Sequence, residues 1–325
     1  MGVIFIKKIV CLLNDYKNSF GLELFCFDCK FTSIELIKRV YYDINDENIT
    51  NLKEEISSSL KEIEFDKTSC VVGVNSPVIF SESLIIPKLN LNDENKTCML
   101  KLEKTYKDDF EKRYVFVKDK ININKTNRRI TYLMAQKDKY KSLISKLDDF
   151  GFNIDKIVFS PLALAQFIGK KHIISGEKTG LFINIDKNNT ILVVTKGPHL
   201  IDYKITNLGL YPIYDCIAKF QERNTDDVVS DPFGEKSIEV EIMVKEYFQS
   251  IITDVKKISY LKDFTINDFY FHSEYGLEEF IKKQFEKHLN LKFKTIVKLD
   301  DSIKSCFQAV SVLRCTTLTL PVRVK

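Results

Sequence analysis

The sequence predicts an α/β protein with two lobes. A block of mixed strands and helices lies between the two lobes in sequence order. The chain has 325 residues, which is enough for two hydrophobic cores. Short β-branched runs bounded by Asn, Gly and Pro alternate with segments in which apolar residues recur at helical spacing. Two units of three strands and a helix lie near the two chain ends, on either side of a block at about residues 70–160.

The composition favours an ordinary globular protein. Apolar residues make up 44% of the chain and charged residues 29%, a balance that is typical of folded domains. The net charge is +4 with both signs interleaved, so no nucleic-acid partner is implied. No apolar run approaches the roughly 20 residues that span a bilayer. The N-terminal run MGVIFIKKIVCLL is interrupted too early for a secretory signal, so we expect a cytoplasmic chain.

The eight cysteines predict neither a disulfide framework nor a metal site. They are scattered along a long chain without an export signal, which favours reduced thiols. Cys26 and Cys29 form a CxxC motif. If residues 26–29 form a regular strand, residues three apart point to opposite faces, so the two sulfurs are not expected to share a metal ion.

The first half of the chain opens with a hairpin and an amphipathic helix. The hairpin arms are Leu22–Phe27 and Ser33–Ile37, and the helix lies within residues 43–63. The charged residues 90–113 predict a helix with loops. Further strands are predicted at Cys70–Val74, Pro77–Pro87, Tyr114–Ile121 and Ile130–Gln136. The last two strands are joined by NINKTNRR, interpreted as a solvated basic turn, with a membrane-surface or partner role as the alternative.

The second half opens with the helix Lys137–Phe150, which Gly151 ends as glycine often does. The strongest helical pattern lies within residues 236–262, and Asp254 lies off its apolar stripe. Strands are predicted at Ile154–Phe159, Leu181–Ile185, Thr190–Thr195, Leu200–Ile205 and Asp268–Phe271. Other helices are predicted at Pro161–Ile168, Leu277–Leu289 and Ser305–Arg314.

The three-stranded meander at residues 180–206 has two interpretations. One is a plain antiparallel sheet edge. The other rests on Asp186 at a strand end, followed by the polar turn residues Lys187-Asn188-Asn189 and the hydroxyl of Thr190. That arrangement is how actin-like ATPases present a carboxylate near a metal ion and a turn that faces phosphate.

The order of these elements resembles the PilM-type actin-like proteins of type IV pilus and type II secretion assembly, which are relatives of FtsA. The most specific match is residues 128–167, a strand, a helix, a glycine, a returning strand and a helix. The resemblance implies an actin-like, ribonuclease H-like duplicated fold with two lobes and an inserted α+β subdomain. The implied domains are residues 1–69 with a closing segment 301–325, the insert 70–160, and a second lobe 161–300 that is helical at about 210–262.

The resemblance also implies a nucleotide site. Cys26–Arg39 lies on the family's first phosphate segment, and the residues after Ile185 lie on the second. Asp28 and Asp186 would hold magnesium through water. The positions implied for ATP are Asp28, Lys30, Thr32, Ser33, Asp186, Asn188, Thr190, Gly209, Asp254, Ser273 and Gly276.

Three departures from the family pattern predict that this nucleotide site is weakened or lost. Lys30 and Lys187 stand where the family has glycine beside its aspartates, and the adenosine loop reads His272-Ser273-Glu274-Tyr275 before Gly276. Glycine lets backbone N–H groups approach phosphate closely, whereas a Cβ blocks that approach. The two lysines could instead contact phosphate as point charges.

The resemblance therefore implies a scaffold rather than an enzyme. We expect a cytoplasmic adaptor, peripheral to the inner membrane through its partners, that binds the N-terminal tail of a single-span membrane protein. Pro77–Pro87 and Ile130–Gln136 are the strands predicted to offer a sheet edge to that tail. The alternatives are an active actin-like ATPase that uses ATP and magnesium, and a self-associating, FtsA-like filament-former.

Overall fold

The computed structural model describes thirteen strands and ten helices in its described residues, which are 6–15, 20–29, 34–44, 49–62, 70–106, 109–148, 150–171, 178–234, 237–259, 264–273, 277–295, 307–315 and 319–320. The strands are β1 Ile6–Asp15, β2 Phe20–Cys29, β3 Ile34–Ile44, β4 Cys70–Asn75, β5 Phe80–Pro87, β6 Tyr114–Asn122, β7 Asn127–Gln136, β8 Ile154–Phe159, β9 Thr179–Ile185, β10 Thr190–Lys196, β11 His199–Thr206, β12 Asp268–Ser273 and β13 Phe293–Thr295. The helices are α1 Ile49–Glu62, α2 Leu91–Tyr106, α3 Phe110–Arg113, α4 Lys137–Asp148, α5 Ser160–Lys170, α6 Leu210–Gln221, α7 Thr225–Ser230, α8 Ser237–Ser259, α9 Glu278–Leu289 and α10 Phe307–Arg314.

The chain divides into two compact units. The first unit is Met1–Ala163 with Gln308–Lys325, and the second is Leu164–Phe307. The first unit holds a five-stranded sheet in the order β3-β2-β1-β4-β8. The second holds a five-stranded sheet in the order β11-β10-β9-β12-β13. In each sheet the first three strands in sequence form an antiparallel meander and the last two run parallel to the first strand, so one topology occurs twice.

Interior strands of both sheets are apolar along most of their length because both of their faces are covered. Every residue of β4 and every residue of β9 is buried. Near-continuous hydrophobic runs of this kind are typical of strands packed on both faces, whereas a half-exposed strand alternates. The core of each unit therefore lies on both sides of its sheet.

The end of the chain belongs to the first unit. The N–H of Leu320 donates to the carbonyl of Ile157 in β8 at 2.9 Å, and the ammonium of Lys156 donates to the carbonyl of Cys315. These contacts hold Cys315 and Leu320 against the sheet.

A three-stranded antiparallel sheet, in the order β5-β7-β6, lies between β4 and β8 in the chain. We refer to residues 76–153 as the insert. Helix α2 covers one face of this sheet, with Cys98 and Leu102 packed among buried strand residues and a cluster of aromatic rings. In that cluster Phe110 stacks on Tyr114 with 4.9 Å between ring centroids. The predicted block 70–160 was too wide, since β4 and β8 pair within the five-stranded sheet.

The segment interpreted as a basic turn is mostly strand. The turn itself is residues 123–126, and Arg128 and Arg129 belong to β7. Arg128 pairs with Glu94 of α2 at 2.5 Å, and Arg129 is 9% exposed. The solvated-turn interpretation was wrong for both arginines, because Arg128 pairs with Glu94 and Arg129 is buried on β7.

Two further predictions need correction. The sequence analysis assigned no strand to the N-terminal run, yet β1 is the centre of the first sheet. The CxxC motif lies on β2, which extends past the predicted end at Phe27 to Cys29, and a bulge between Cys26 and Phe27 interrupts the regular alternation that was assumed for this stretch.

Candidate functional site

The turn between β9 and β10 is closed on itself by its own hydrogen bonds. The N–H of Asp186 donates to the carbonyl of Asn189 at 2.8 Å, and the N–H of Lys187 donates to Oδ1 of Asp186 at 2.7 Å. Asp186 is only 2% exposed. Its carboxylate therefore has a structural role in shaping residues 186–189.

Helix α6 begins directly on this turn. Leu210 and Tyr211 donate their N–H groups to the carbonyls of Asp186 and Lys187, at 3.0 and 2.9 Å. The next residue is Pro212, which has no N–H. The first N–H groups of a helix are the donors that ordinarily bind an anion. Here none of these three helical positions has a free N–H to offer.

Gly209 is needed because of a close approach between two backbone segments. Its φ of −116° is open to any residue, so conformation does not demand glycine. A Cβ at this position, however, would lie 2.4 Å from the carbonyl oxygen of Lys187 and 2.5 Å from backbone atoms of Asn188. The turn thus rests directly on the residue before α6.

Two predicted site residues complete this cluster. The hydroxyl of Thr190 donates to the carbonyl of Leu208 at 2.5 Å, which ties the start of β10 to the segment before α6. Ser273 ends β12 and pairs in register with Ile185, so it lies beside the turn. The structure therefore brings together Asp186, Asn188, Thr190, Gly209 and Ser273 in the second unit.

The Lys187 ammonium lies over the ring of Tyr211, 4.1 Å from its centroid. A cation at this distance is attracted by the negative face of the ring. The lysine that stands in place of a glycine therefore packs its charge on α6.

Asp254 of α8 makes an ion pair with a lysine of β11. Its Oδ1 accepts a hydrogen bond from the ammonium of Lys204 on β11 at 2.6 Å, and Asp254 is 9% exposed. The sequence pattern places Asp254 off the apolar stripe of α8, and in the structure the residue is nevertheless buried, because it faces β11 and binds a lysine there. Lys30, Thr32, Ser33 and Gly276 lie outside the described residues.

Asp28 lies at the wrong end of the first sheet for the predicted role. It pairs with Lys7, near the start of β1, whereas Asp15 at the other end of β1 pairs with Phe20. Eight residues of strand, roughly 26 Å, separate Lys7 from Asp15. Because β1 and β9 are the equivalent first strands of the repeated topology, Asp15 is the counterpart of Asp186.

Asp15 lies in a hydrogen-bonded cluster at the carboxyl ends of the parallel strands β1 and β4. Ser76 donates its hydroxyl proton to Oδ2 of Asp15 at 2.7 Å, and Asn75 donates to Oδ1 of Asn14 at 2.6 Å. The N–H of Val78 in turn donates to the hydroxyl oxygen of Ser76 at 3.1 Å. These contacts join the end of the first sheet to the start of the insert.

The sequence held a signal for Asp15 that the analysis missed. The residues Leu13-Asn14-Asp15-Tyr16-Lys17-Asn18 follow an apolar run, as Asn184-Ile185-Asp186-Lys187-Asn188-Asn189 do in the second unit. An apolar run, an aspartate and polar residues thus occur in this order at both places in the sequence.

A cleft of about 380 Å³ opens beside Asp15 within the first unit. It is lined by Asp15 and Val78 on one side and by residues of the first two turns of α4 on the other, namely Asp138, Lys139, Ser142 and Leu143. Two carboxylates, one ammonium, a hydroxyl and two aliphatic side chains therefore face the same space.

Comparison with known proteins gives likeness in structure only. No family model and no curated protein sequence matches the chain. A chain of the PilM–PilN type IV pilus biogenesis complex matches with a TM-score of 0.67 and 13% identity, over 95% of this chain and 98% of that one. MreB5 of Spiroplasma citri bound to ADP matches with a TM-score of 0.52 and 10% identity, over 94% and 96%. The ethanolamine utilization protein EutJ from Carboxydothermus hydrogenoformans matches with a TM-score of 0.50 and 9% identity, over 94% and 89%.

The chain has a PilM-type actin-like fold. At these identities the fold is what the proteins share. The prediction of a two-lobed, duplicated actin-like architecture is confirmed, and it follows from the order of the elements, since the same sheet topology occurs twice.

An actin-like fold implies ATP with magnesium, and this chain fits that ligand poorly at the second-unit turn. The N–H groups of Leu210 and Tyr211 are used, and Lys187 packs on an aromatic ring. Among the residues that the structure describes, no three His, Cys, Asp or Glu side chains are grouped as a metal site would need. The described part of the chain also contains no helix long and apolar enough to cross a membrane.

Proposed function

We propose that this chain is a cytoplasmic scaffold, and that its first unit binds the N-terminal tail of a single-span inner-membrane protein in a type IV pilus or type II secretion assembly platform. The cleft between the end of β1 and helix α4 is the observation that carries this proposal. Full-length likeness to a chain of the PilM–PilN complex supports it.

The chemistry of the cleft suits a basic, partly apolar peptide. Cytosolic segments next to a membrane span are enriched in Lys and Arg. Asp15 and Asp138 offer carboxylates to such cations, while Val78 and Leu143 offer apolar contact. A cleft of about 380 Å³ accommodates a few side chains rather than a folded domain.

An extended tail that leaves the cleft can pair with β5, the edge strand of the insert's sheet. Strand β5 begins two residues after Val78 and pairs with β7 along one side. No other described strand pairs with β5, so a peptide can add to its second side through main-chain hydrogen bonds. Lys101 already donates to the carbonyl of Ile85, which leaves the first half of β5 as the open part.

The other strand predicted to offer an edge does not. Ile130–Gln136 lies in β7, which is the middle strand of the insert's sheet and pairs with β5 and β6. Its backbone groups are used on both sides, so that part of the prediction was wrong.

The experiment is calorimetry with a synthetic peptide that copies the N-terminal tail of the single-span protein encoded beside this chain. Ser142→Trp fills the cleft from an exposed position on α4, and we expect it to abolish binding. Lys141→Trp is the matched control. It adds the same ring to the preceding residue of α4, which does not line the cleft.

Binding that survives about 0.5 M salt identifies contacts beyond surface charge, because such salt screens exposed ion pairs. Equal loss in the two Trp variants, or no tail binding by the native chain, would contradict the proposal. In either case the actin-like fold would stand without this function.

We also propose that ATP binds weakly or not at all. Two observations support this. The N–H groups at the start of α6 already donate to backbone carbonyls, and Lys187 packs on Tyr211. The competing function is an actin-like ATPase, and low-micromolar binding of ATP with magnesium to the purified chain would favour it.

A further inference from the structure

Exposed apolar side chains are concentrated at one end of the insert. Among the described residues eight large apolar side chains are exposed, and three of them, Ile85, Leu89 and Leu91, lie within one short stretch of chain. Leu91 is 63% exposed. A single exposed apolar residue is ordinary, whereas a cluster points to a surface that binds something apolar. We call the loop Pro87–Leu91 together with the turn at residues 123–126 the insert tip.

The loop and the turn of the insert tip are held in place by hydrogen bonds. The N–H of Lys88 donates to the carbonyl of Thr126 at 2.8 Å, which joins the loop to the turn. Oδ1 of Asn90 accepts from the N–H of Asp93 at 3.0 Å and so caps the start of α2. Oδ1 of Asn124 accepts from the N–H of Thr126 at 2.9 Å within the turn. The insert tip is therefore ordered before anything binds, which lowers the entropy cost of binding.

The exposure of Leu89 has a local cause. Leu89 precedes the capping residue Asn90, and an apolar residue there often packs against the fourth residue of the helix. The fourth residue of α2 is Glu94, whose carboxylate pairs with Lys120 and Arg128. That position offers Leu89 a paired carboxylate instead of an apolar side chain, and Leu89 is 37% exposed.

The insert tip is also basic. Lys88 and Lys125 are exposed, and neither makes an ion pair with any residue that the structure describes. The nearby carboxylate of Asp93 accepts a hydrogen bond from the side-chain amide of Asn90 at 2.6 Å. The whole insert contains sixteen Lys or Arg residues and eleven Asp or Glu residues, whereas the chain has a net charge of only +4. The excess positive charge of the chain therefore lies in the insert.

An anionic bilayer surface has the complementary chemistry. The cytoplasmic leaflet presents anionic headgroups that attract Lys and Arg, and amphipathic segments bury leucines at the boundary between headgroups and acyl chains. A stable protein interface covers about 800 Å² on each partner, far more than two leucines and two lysines provide. A bilayer, by contrast, needs no partner of matching shape.

We propose that the insert tip contacts an anionic membrane surface directly. Leu89 and Leu91 enter the interfacial layer of the bilayer. Lys88 and Lys125 bind the phosphates of lipid headgroups. The membrane-surface role, which was the alternative for residues 122–129, thus belongs to the turn in that segment and not to its two arginines.

The position of the insert tip agrees with tail binding but does not depend on it. Strand β5 runs from Phe80, close to the cleft, to Pro87 at the insert tip, and eight strand residues span roughly 26 Å. A tail that follows β5 from the cleft therefore leaves it at the end that we place on the membrane. This agreement rests on the proposed function, whereas the lipid contact rests on the insert tip alone.

The test is sedimentation of the full chain with lipid vesicles and without any tail peptide. We expect binding to vesicles of phosphatidylcholine with phosphatidylglycerol, and much weaker binding to phosphatidylcholine alone. Leu89→Ser with Leu91→Ser should lower the partition coefficient by about tenfold, because it removes the apolar contact. Leu100→Ser with Ile37→Ser is the matched control, since both residues are exposed and lie outside the insert tip. It should bind as the native chain does.

A second pair of variants tests the charge. Lys88→Glu with Lys125→Glu should abolish vesicle binding, because it makes the insert tip acidic. Lys104→Glu with Lys141→Glu makes the same change of charge at exposed insert residues outside the tip, and it should retain most of the binding. Rising salt should weaken binding of the native chain, since salt screens the attraction between lysines and headgroups.

Tryptophan fluorescence locates the contact. The chain contains no tryptophan, so Leu91→Trp places a single reporter in the insert tip. Leu100→Trp places one at an exposed position elsewhere on α2. Anionic vesicles should shift the emission of the Leu91→Trp variant to shorter wavelengths, and brominated lipids should quench it. The emission of the Leu100→Trp variant should stay unchanged.

Three results would overturn the inference. They are a native chain that binds no anionic vesicles, a Leu89→Ser with Leu91→Ser variant that binds as well as the native chain, and a Leu91→Trp variant that binds without a change in emission. A protein partner would then be the remaining candidate for the insert tip. The leucine double variant leaves the cleft intact and should keep the native affinity for the tail peptide in solution. Failure of lipid binding and failure of tail binding are therefore distinguishable.

Discussion

The two five-stranded sheets have one topology and different strand ends. In the first unit, Asp15 accepts a hydrogen bond from Ser76, which directly follows the neighbouring parallel strand, beside a cleft of about 380 Å³. In the second unit, Asp186 bonds to the next residue of its own turn, and α6 begins directly on that turn. The first strand end borders a cavity and the second supports a helix. A repeated fold can thus place the same position beside a cavity in one copy and use it for packing in the other.

The largest expected effect is that of a methyl group at Gly209. In Gly209→Ala the Cβ would meet backbone atoms at 2.4 to 2.5 Å, and backbone cannot move aside as a side chain can. We expect a loss of about 3 kcal/mol or more in the free energy of unfolding, measured by urea denaturation.

Gly73→Ala is the matched substitution in the first unit. There the Cβ would meet the side-chain ends of Leu12 and Val312 at 2.7 Å, and these can shift. The expected loss is about 1 to 2 kcal/mol. Equal losses at the two glycines would contradict the distinction between a glycine that meets backbone and one that meets side chains.

The next effect concerns the insert, which the second unit lacks between its last two strands. Glu94 is 1% exposed and its carboxylate bonds to both Lys120 and Arg128. Burial by itself raises the pKa of Glu94, but the hydrogen bonds and charges of the two cations leave that pKa below its ordinary value. Glu94→Gln should lower the free energy of unfolding by about 2 to 3 kcal/mol at pH 7.

The pH dependence follows from the direction of that shift. A carboxyl whose pKa is lower in the folded chain contributes stability above its unfolded pKa, about 4.3, and loses it as the pH falls through the folded value. The native chain and Glu94→Gln differ in their free energies of unfolding. This difference should therefore become smaller as the pH falls from 5 to 3, as measured by urea unfolding. Glu103→Gln on the same helix is the control and should show little difference at either pH. A constant difference for Glu94→Gln would contradict the ion-pair assignment.

A smaller effect distinguishes the two aspartates in binding. Asp15→Asn removes a charge from the cleft, so its affinity for a basic tail peptide should fall by about tenfold, or 1.4 kcal/mol. Asp186→Asn should leave that affinity unchanged. Calorimetry with the tail peptide measures both, and similar losses would show that the cleft is not the binding surface.

The smallest effect is expected with nucleotide. We expect calorimetry with ATP and magnesium to give no low-micromolar binding, and Asp186→Ala to change little except turn stability, by about 1 kcal/mol. Low-micromolar binding that Asp186→Ala abolishes would mean that the second-unit turn is a nucleotide site and not a support for α6.

The sequence predicted the order of the elements better than the positions of the site. The meander, the insert and the helix end at Gly151 could be predicted because β-branched runs, turn residues and helical spacing are local signals. Gly151 indeed has a φ of +72°. The first strand was missed because its apolar run was considered only as a targeting signal. That omission moved the first aspartate from Asp15 to Asp28.

Other features depend on contacts that local patterns do not encode. The central position of β7 follows from pairing with two strands, one of them more than 40 residues away in the chain. The ion pair of Asp254 depends on Lys204, 50 residues earlier. Gly209 and Pro212 alone do not predict that the first N–H groups of α6 are hydrogen-bonded. Those bonds depend on the position of the turn at residues 186–189.

The position of the insert between two parallel strands has a consequence for the order of folding. Cys70 of β4 pairs with Ile154 of β8, 84 residues away, whereas Phe269 of β12 pairs with Phe293 of β13 across 24 residues. Closing the longer loop costs about 1 kcal/mol more in chain entropy, and contacts distant in sequence form slowly. An insert that had already collapsed around its aromatic cluster would shorten that loop. We therefore expect the insert to gain protection from hydrogen exchange during refolding before β4 and β8 do, with the first sheet closing last.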